Sequence, residues 1–208
     1  MKNKKLITFD LWQTLADARL RPSILLDIFT HKPVQQDFFR DLSRSDIFLK
    51  DIDTEITLSV FLNKFGIEDK DVIKKAFLLW QKMAASSYLI EGAEALILDL
   101  KSKGYSLCLM SNVDKYGYEH FSHTDFLKNF DYTFLSYKEG IGKPDIRCWK
   151  NVSVRSGFDF KDILMVGDSL EYDILPAQNL GIESVHIVDR GDFKKVYDSL
   201  NKNIYAQA

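Results

Sequence analysis

Long apolar runs, blocks of like charge and cysteines are all scarce in this chain. The basic opening, Met1 to Lys5, leads into an apolar stretch that Asp10 soon interrupts, so neither a signal peptide nor a membrane anchor is expected there. Basic residues alternate with acidic ones, for a net charge of −2 and a pI near 6.1. Without a basic face, no nucleic-acid partner is expected. Of the two cysteines, Cys108 falls in a predicted strand and Cys148 in a predicted helix. They read as small buried apolar groups and not as a disulfide or a metal pair, which makes a cytoplasmic location the default expectation. There are no repeats, no low-complexity segments and no evident exposed apolar stripe, so a monomer is expected.

What is present is material for a core. At 208 residues and 46% hydrophobic content, the chain suits one domain, or a core domain with a modest insertion. The run Leu6-Ile7-Thr8-Phe9 ends in Asp10, the pattern of a central parallel strand that presents a carboxylate at its carboxyl end. After Leu15 the periodicity turns helical. Ile24, Leu25, Ile28 and Phe29 recur at helical spacing, as do Phe38, Phe39 and Leu42. A third helix is predicted to begin at the cap Thr57 and to stop at Gly66, and a fourth runs from Asp69 or Lys70 through Phe77 and Trp80.

From Gly92 strands and helices alternate. A helix over Ala93 to Lys103 precedes a strand over Tyr105 to Met110. A helix from about Tyr116 to Phe126 precedes a strand over Tyr132 to Leu135. Pro144 is expected in the first turn of the next helix, which ends at Gly157. The strand Ile163 to Val166, a helix closed by Gly181, the strand Ser184 to Val188 and a last helix from about Phe193 to Leu200 complete the chain. This alternation predicts an α/β fold, a parallel sheet covered by helices on both faces.

Four strand ends then carry polar groups: Asp10, Ser111 with Asn112, Lys143, and Asp168 with Asp173. In a parallel sheet such ends meet at one edge, where a pocket forms. Carboxylates brought that close repel one another unless a cation lies between them. Asp10, Asp168 and Asp173 make the hard, all-oxygen ligand set that magnesium prefers. Lys143 adds a fixed positive charge, and Ser111 a hydroxyl and a backbone donor. A transferable phosphoryl group fits that arrangement, with Asp10 as nucleophile.

Four motifs in order carry a family likeness: Asp10-Leu11-Trp12-Gln13-Thr14-Leu15, Met110-Ser111-Asn112, Gly142-Lys143-Pro144-Asp145, and Gly167-Asp168-Ser169-Leu170-Glu171-Tyr172-Asp173. Over essentially its full length the chain resembles the haloacid dehalogenase-like hydrolases. The resemblance implies a Rossmann-like core, residues 1–15 and 91–208, with an all-helical cap inserted at 16–90. It implies that Asp10 attacks, that the Trp12 backbone carbonyl and Asp168 bind magnesium, that Ser111 and Lys143 hold the phosphoryl oxygens, and that Asp173 supports the metal shell. Thr14 of the first motif and Asn112 of the second are counted with the substrate-binding residues, and the expected partner is a small phosphorylated substrate.

The chain departs from the phosphatase pattern at Trp12, where that branch usually carries a second aspartate that protonates the leaving oxygen. A metal contact through the main chain survives the replacement, whereas the proton transfer does not. Asp17 and Glu91 are candidate substitutes. The dehalogenase branch carries an aromatic residue at this position, and Trp149 stands near the place of that branch's tyrosine. The intact Gly167-Asp168 argues for phosphate chemistry. Three readings stand: a magnesium-dependent phosphomonoester hydrolase, a carbon–halogen hydrolase, and a binding protein that keeps the fold without turnover.

Other residues read more plainly. His120 and His123 form a polar helix face, Trp80 and Phe77 core of the helical block. The arginines Arg19, Arg21, Arg40 and Arg44 read as solvated surface residues, with Arg19 or Arg21 the candidate for contact with an anionic substrate. The Thr14 hydroxyl can fix the turn or bond Asp10, and Gly140 and Gly142 let the backbone deliver Lys143.

Overall fold

The computed structural model describes residues 5–28 and 38–205. Its strands are β1 (Leu6–Phe9), β2 (Ala16–Ala18), β3 (Ser87–Leu89), β4 (Ser106–Ser111), β5 (Tyr132–Leu135), β6 (Ile163–Gly167) and β7 (Glu183–His186). Five of them form one parallel sheet in the order β5-β4-β1-β6-β7. The central place of β1 follows from its sequence. All of its side chains are apolar or small and buried, which suits only a strand covered on both faces. Alternation then sorts the layers. Ile7, Phe9, Leu107, Leu109, Leu164 and Val166 face one apolar cluster, and Leu6, Cys108, Met110, Ile163 and Met165 face the other.

The helices are α1 (Phe38–Ser43), α2 (Asp46–Leu49), α3 (Thr54–Asn63), α4 (Lys70–Ala85), α5 (Ala93–Ser102), α6 (Lys115–Ser122), α7 (Ser136–Glu139), α8 (Arg147–Ser156), α9 (Leu175–Gln178) and α10 (Lys194–Tyr205). Helices α5, α6 and α10 cover the first cluster, and α8 and α9 the second. Both cysteines are buried free thiols, as expected. No helix of the described residues is long and apolar enough to cross a membrane.

Helices α1 to α4 enclose a third apolar cluster around Phe38, Ile47, Leu58, Phe61 and Trp80. Where the chain leaves and re-enters the core, β2 and β3 pair antiparallel in a short ribbon that periodicity did not announce, because three residues per strand carry too little pattern. The block also docks on the core through polar groups. The buried Asp114 carboxylate accepts from Thr54 Oγ1 at 3.1 Å, Trp80 Nε1 at 3.3 Å and the Gly117 N–H at 2.9 Å.

Local corrections have local causes. Helix α3 starts at Thr54 and not at Thr57, because the Asp53 carboxylate accepts the Glu55 N–H, while the Thr57 hydroxyl bonds back to the carbonyls of Asp53 and Thr54. Pro144 lies ahead of α8, after a cis peptide bond from Lys143, and not in its first turn. The helix expected to reach Phe126 stops at Ser122 and resumes as a 3-10 turn over Asp125–Asn129. Ile52, Ile56 and Val60 are exposed at four-residue spacing, so the expectation of no apolar stripe is not met. Phe29 lies outside the described residues, as do the side chains of Phe39 and Arg40.

Candidate active site

The three central strands end side by side. Asp10 follows β1 and extends its ladder by donating its N–H to Val166 O at 2.9 Å. Ser111 closes β4 and Asp168 follows β6. Asp173 lies in the single π-turn Leu170–Ile174, where Ser169 N–H donates to its Oδ2 at 3.1 Å. Lys143 arrives from the loop after α7, and Asn112 holds its backbone, accepting from the N–H at 2.8 Å and donating to the carbonyl at 2.7 Å.

Two glycines make room for this packing. A Cβ on Gly142 would stand 2.7 Å from Asn112 Oδ1, and one on Gly167 would stand 2.5 Å from the Asp173 carboxyl. The turn after β1 is equally constrained. Leu11 O accepts from Leu15 and Ala16, Gln13 N–H donates to Ala16 O, and Gln13 takes a φ of 64°. The N–H and C=O of one peptide point in opposite directions, so this pairing turns the Trp12 carbonyl away from Ala16.

Oxygens of Asp10, Asp168 and Asp173 lie within 4.8 Å of one another. Among the described residues this is the only such grouping of metal-ligating side chains, and neither His120 nor His123 joins one. His120 stacks on Tyr116, and His123 ends α6. Lys143 Nζ donates to Oδ1 of both Asp10 and Asp173, at 2.6 Å each. Burial pushes the Asp10 carboxyl up to about 7, with Lys143 pulling it down and Asp173 and Asp168 pushing it further up. Asp168 is raised by burial and then by Asp173. Burial alone would lower Lys143, but Asp10 and Asp173 hold its ammonium well above the usual range.

Two buried carboxylates and a half-buried one against one lysine leave excess negative charge, and hard oxygens at that spacing fit a divalent cation. The Ser111 hydroxyl at the end of β4 is fully buried without a hydrogen-bond partner, and Ser111 is not among the residues lining the cavity at the cluster. A cavity of about 370 Å³ opens here, lined by Asp10, Trp12, Gln13, Phe48, Asn112, Lys143, Asp168, Ser169, Tyr172 and Asp173.

Other candidates fall elsewhere. The Thr14 hydroxyl is buried and has no hydrogen-bond partner, so the bond to Asp10 is not made. Asp17 pairs with Arg21 at 2.7 Å and with Arg190 at 2.5 Å, and so anchors the ribbon instead of facing Asp10. Glu91 is exposed and Arg19 lies over the Tyr88 ring. Arg44 reaches Glu171 at 3.8 Å. Trp149 is fully buried in the core, away from the cavity lining. Phe48 and Tyr172 line the cavity without having been singled out, since nothing in either segment distinguishes a lining aromatic from a packing one.

Residues 4–181 match the family model of the haloacid dehalogenase-like hydrolases. The chain belongs to this family. Within it, the chain is 33% identical over 98 residues to a glyceraldehyde 3-phosphate phosphatase of Methanothermobacter thermautotrophicus, a match covering 43% of this chain and 40% of that relative. The chain thus spans less than half the length of that relative. It is 23% identical to the pyrimidine 5'-nucleotidase PynA of Streptococcus pneumoniae, over 96% of both. Its fold resembles that of a HAD family enzyme from Bacteroides thetaiotaomicron, solved in complex with magnesium and inorganic phosphate. There the TM-score is 0.66 at 22% identity, over 88% of this chain and 93% of that one.

Proposed function

We propose that this haloacid dehalogenase-like hydrolase is a magnesium-dependent phosphomonoester hydrolase working through an aspartyl-phosphate on Asp10. The observation that carries the reading is the cluster of Asp10, Asp168 and Asp173 around the Lys143 ammonium. Phosphatase names among its relatives point the same way.

In this reading Asp10, Asp168 and the Trp12 carbonyl hold the cation and Asp173 supports it. A bound magnesium would supply charge neutralisation at the phosphoryl oxygens. Lys143 and Ser111 grip two of those oxygens, and Asn112 acts through the Lys143 backbone. Asp10 attacks phosphorus in line, the alcohol oxygen leaves with its electron pair, and water then cleaves the aspartyl-phosphate to inorganic phosphate. Residues 16–90 serve as the cap over a core of residues 1–15 and 91–208, closing water out. The carbon–halogen reading has less support, because Asp168 belongs to the carboxylate cluster and Trp149 to the core.

The test is p-nitrophenyl phosphate turnover with and without magnesium, with Asp10→Asn as control. This leaving group departs without a proton donor. Magnesium-dependent release that disappears in the variant is expected. No release from folded, magnesium-binding protein would favour a binding role instead, and failure to bind magnesium would bring halogenated acids forward.

A further inference from the structure

A second cavity, of about 200 Å³, lies under the helical block and shares Trp12, Gln13 and Phe48 with the first. Its far side is closed by Leu20, Pro22, Trp80, Met83 and Ala84. The two carboxylates that border it are already engaged, Asp17 by two guanidiniums and Asp114 by Thr54, Trp80 and Gly117. A group entering this space meets the Trp12, Phe48 and Trp80 rings and the Met83 thioether, with Arg21, the one cation among the described residues of the lining, drawn to Asp17, a wall that suits an uncharged ring. An apolar cavity of about 150 Å³ is enough for benzene, so this one admits a fused ring.

A second observation is independent of the first. Among the described residues the carboxyls lining the catalytic cavity are Asp10, Asp168 and Asp173, all committed to the cation and lysine cluster, and in the family pattern on which the phosphatase reading rests the leaving-group acid would stand at Trp12. An oxygen that leaves unprotonated must be a stable anion, as a phenolate is and an alkoxide is not.

Both observations select on the same part of the substrate. Building on the phosphatase reading, we propose that the preferred substrates are phosphate monoesters of apolar phenols, with the ring seated among Trp12, Phe48 and Trp80. The phosphorus–oxygen bond to the ring breaks as Asp10 bonds to phosphorus. The phenolate keeps the electron pair and takes its proton from water after release.

The experiment measures phosphate release with magnesium from p-nitrophenyl, phenyl, 2-naphthyl and cyclohexyl phosphate, glucose 6-phosphate and a nucleoside 5'-monophosphate. It uses the full chain and the variants Met83→Glu and Ala84→Phe. Expected are a kcat/KM for 2-naphthyl phosphate about tenfold or more above phenyl phosphate, whose leaving group is of similar acidity, and cyclohexyl phosphate slower than phenyl by about 10² or more. Both variants should lose the naphthyl preference, read as the ratio of the two aryl kcat/KM values, while still binding magnesium. Equal rates on the two aryl esters, a sugar phosphate or nucleotide as best substrate, or a naphthyl preference surviving in both variants would overturn the proposal and leave the phosphatase reading standing. No release from any ester, p-nitrophenyl phosphate included, would overturn the phosphatase reading itself.

Discussion

Asn112 grips Lys143 by both of its backbone polar groups, the side-chain oxygen on the N–H at 2.8 Å and the side-chain nitrogen on the carbonyl at 2.7 Å. One amide thereby fixes the peptide from which the buried ammonium projects to Asp10 and Asp173, 133 and 30 positions away in the chain. A side chain that looks like a ligand contact in the motif is occupied in holding another residue.

Replacing Asn112 by Ala removes this clasp without removing any charged group. Turnover of p-nitrophenyl phosphate should fall about 10- to 100-fold, mainly in kcat, the usual penalty for a small misplacement of a catalytic charge. Magnesium affinity, read by titration, should change little. A large loss of magnesium binding would mean that Asn112 serves the metal and not the lysine.

On the proposed mechanism, Trp12→Asp places an acid two residues after Asp10. Alkyl phosphates should gain by about 10², whereas p-nitrophenyl phosphate should not gain. Steady-state rates on cyclohexyl and p-nitrophenyl phosphate check this. An equal change on both would show that protonation does not limit the wild-type enzyme.

The raised Asp10 pKa predicts how stability follows pH in metal-free protein. Its ordinary value is 3.8 and burial raises it to about 7 in the fold, so between those values the folded state binds more protons than the unfolded one. Stability from this group is therefore greatest at low pH and is lost as pH rises through about 7. Relative to Asp10→Asn, the wild-type Tm should drop on going from pH 5 to pH 8. Each 1 kcal/mol corresponds to about 2–4 °C in a chain of this size. Magnesium should raise the wild-type Tm more at pH 8 than at pH 5, and a pH-independent rise would contradict the assignment of Asp10 to the cation.

Asp114→Ala should cost about 2–4 kcal/mol in urea unfolding, because the Trp80 indole N–H and the Thr54 hydroxyl lose a buried charged acceptor. Asp114→Asn keeps the volume and one carbonyl oxygen and should cost less. Equal costs would assign the effect to charge alone.

Much of this fold was legible because its signals are local. The buried run of β1, the glycine after α8 and the aspartate before α4 each act within a few residues. The errors arose where two local signals competed, as when Asp53 displaced Thr57 as the cap of α3. In the cluster, Asp10 and Asp168 were readable as carboxylates just past strand ends, a consequence of parallel topology. Phe48 was not, because an aromatic residue in a short amphipathic helix carries the same pattern whether it packs or lines a cavity.

The sequence by itself determined the alternation of strands and helices in the core and the edge of the sheet on which the carboxylates stand. Only the tertiary structure decided which charges are spoken for. Asp17, Arg21 and Arg190 become an anchor, and Asp114 becomes the post to which the helical block is tied. The physical reason is range. Periodicity and capping depend on neighbours a few positions away, whereas a charge pairs with whatever the burial of the whole core brings beside it, and a cavity is the space that this packing leaves unfilled.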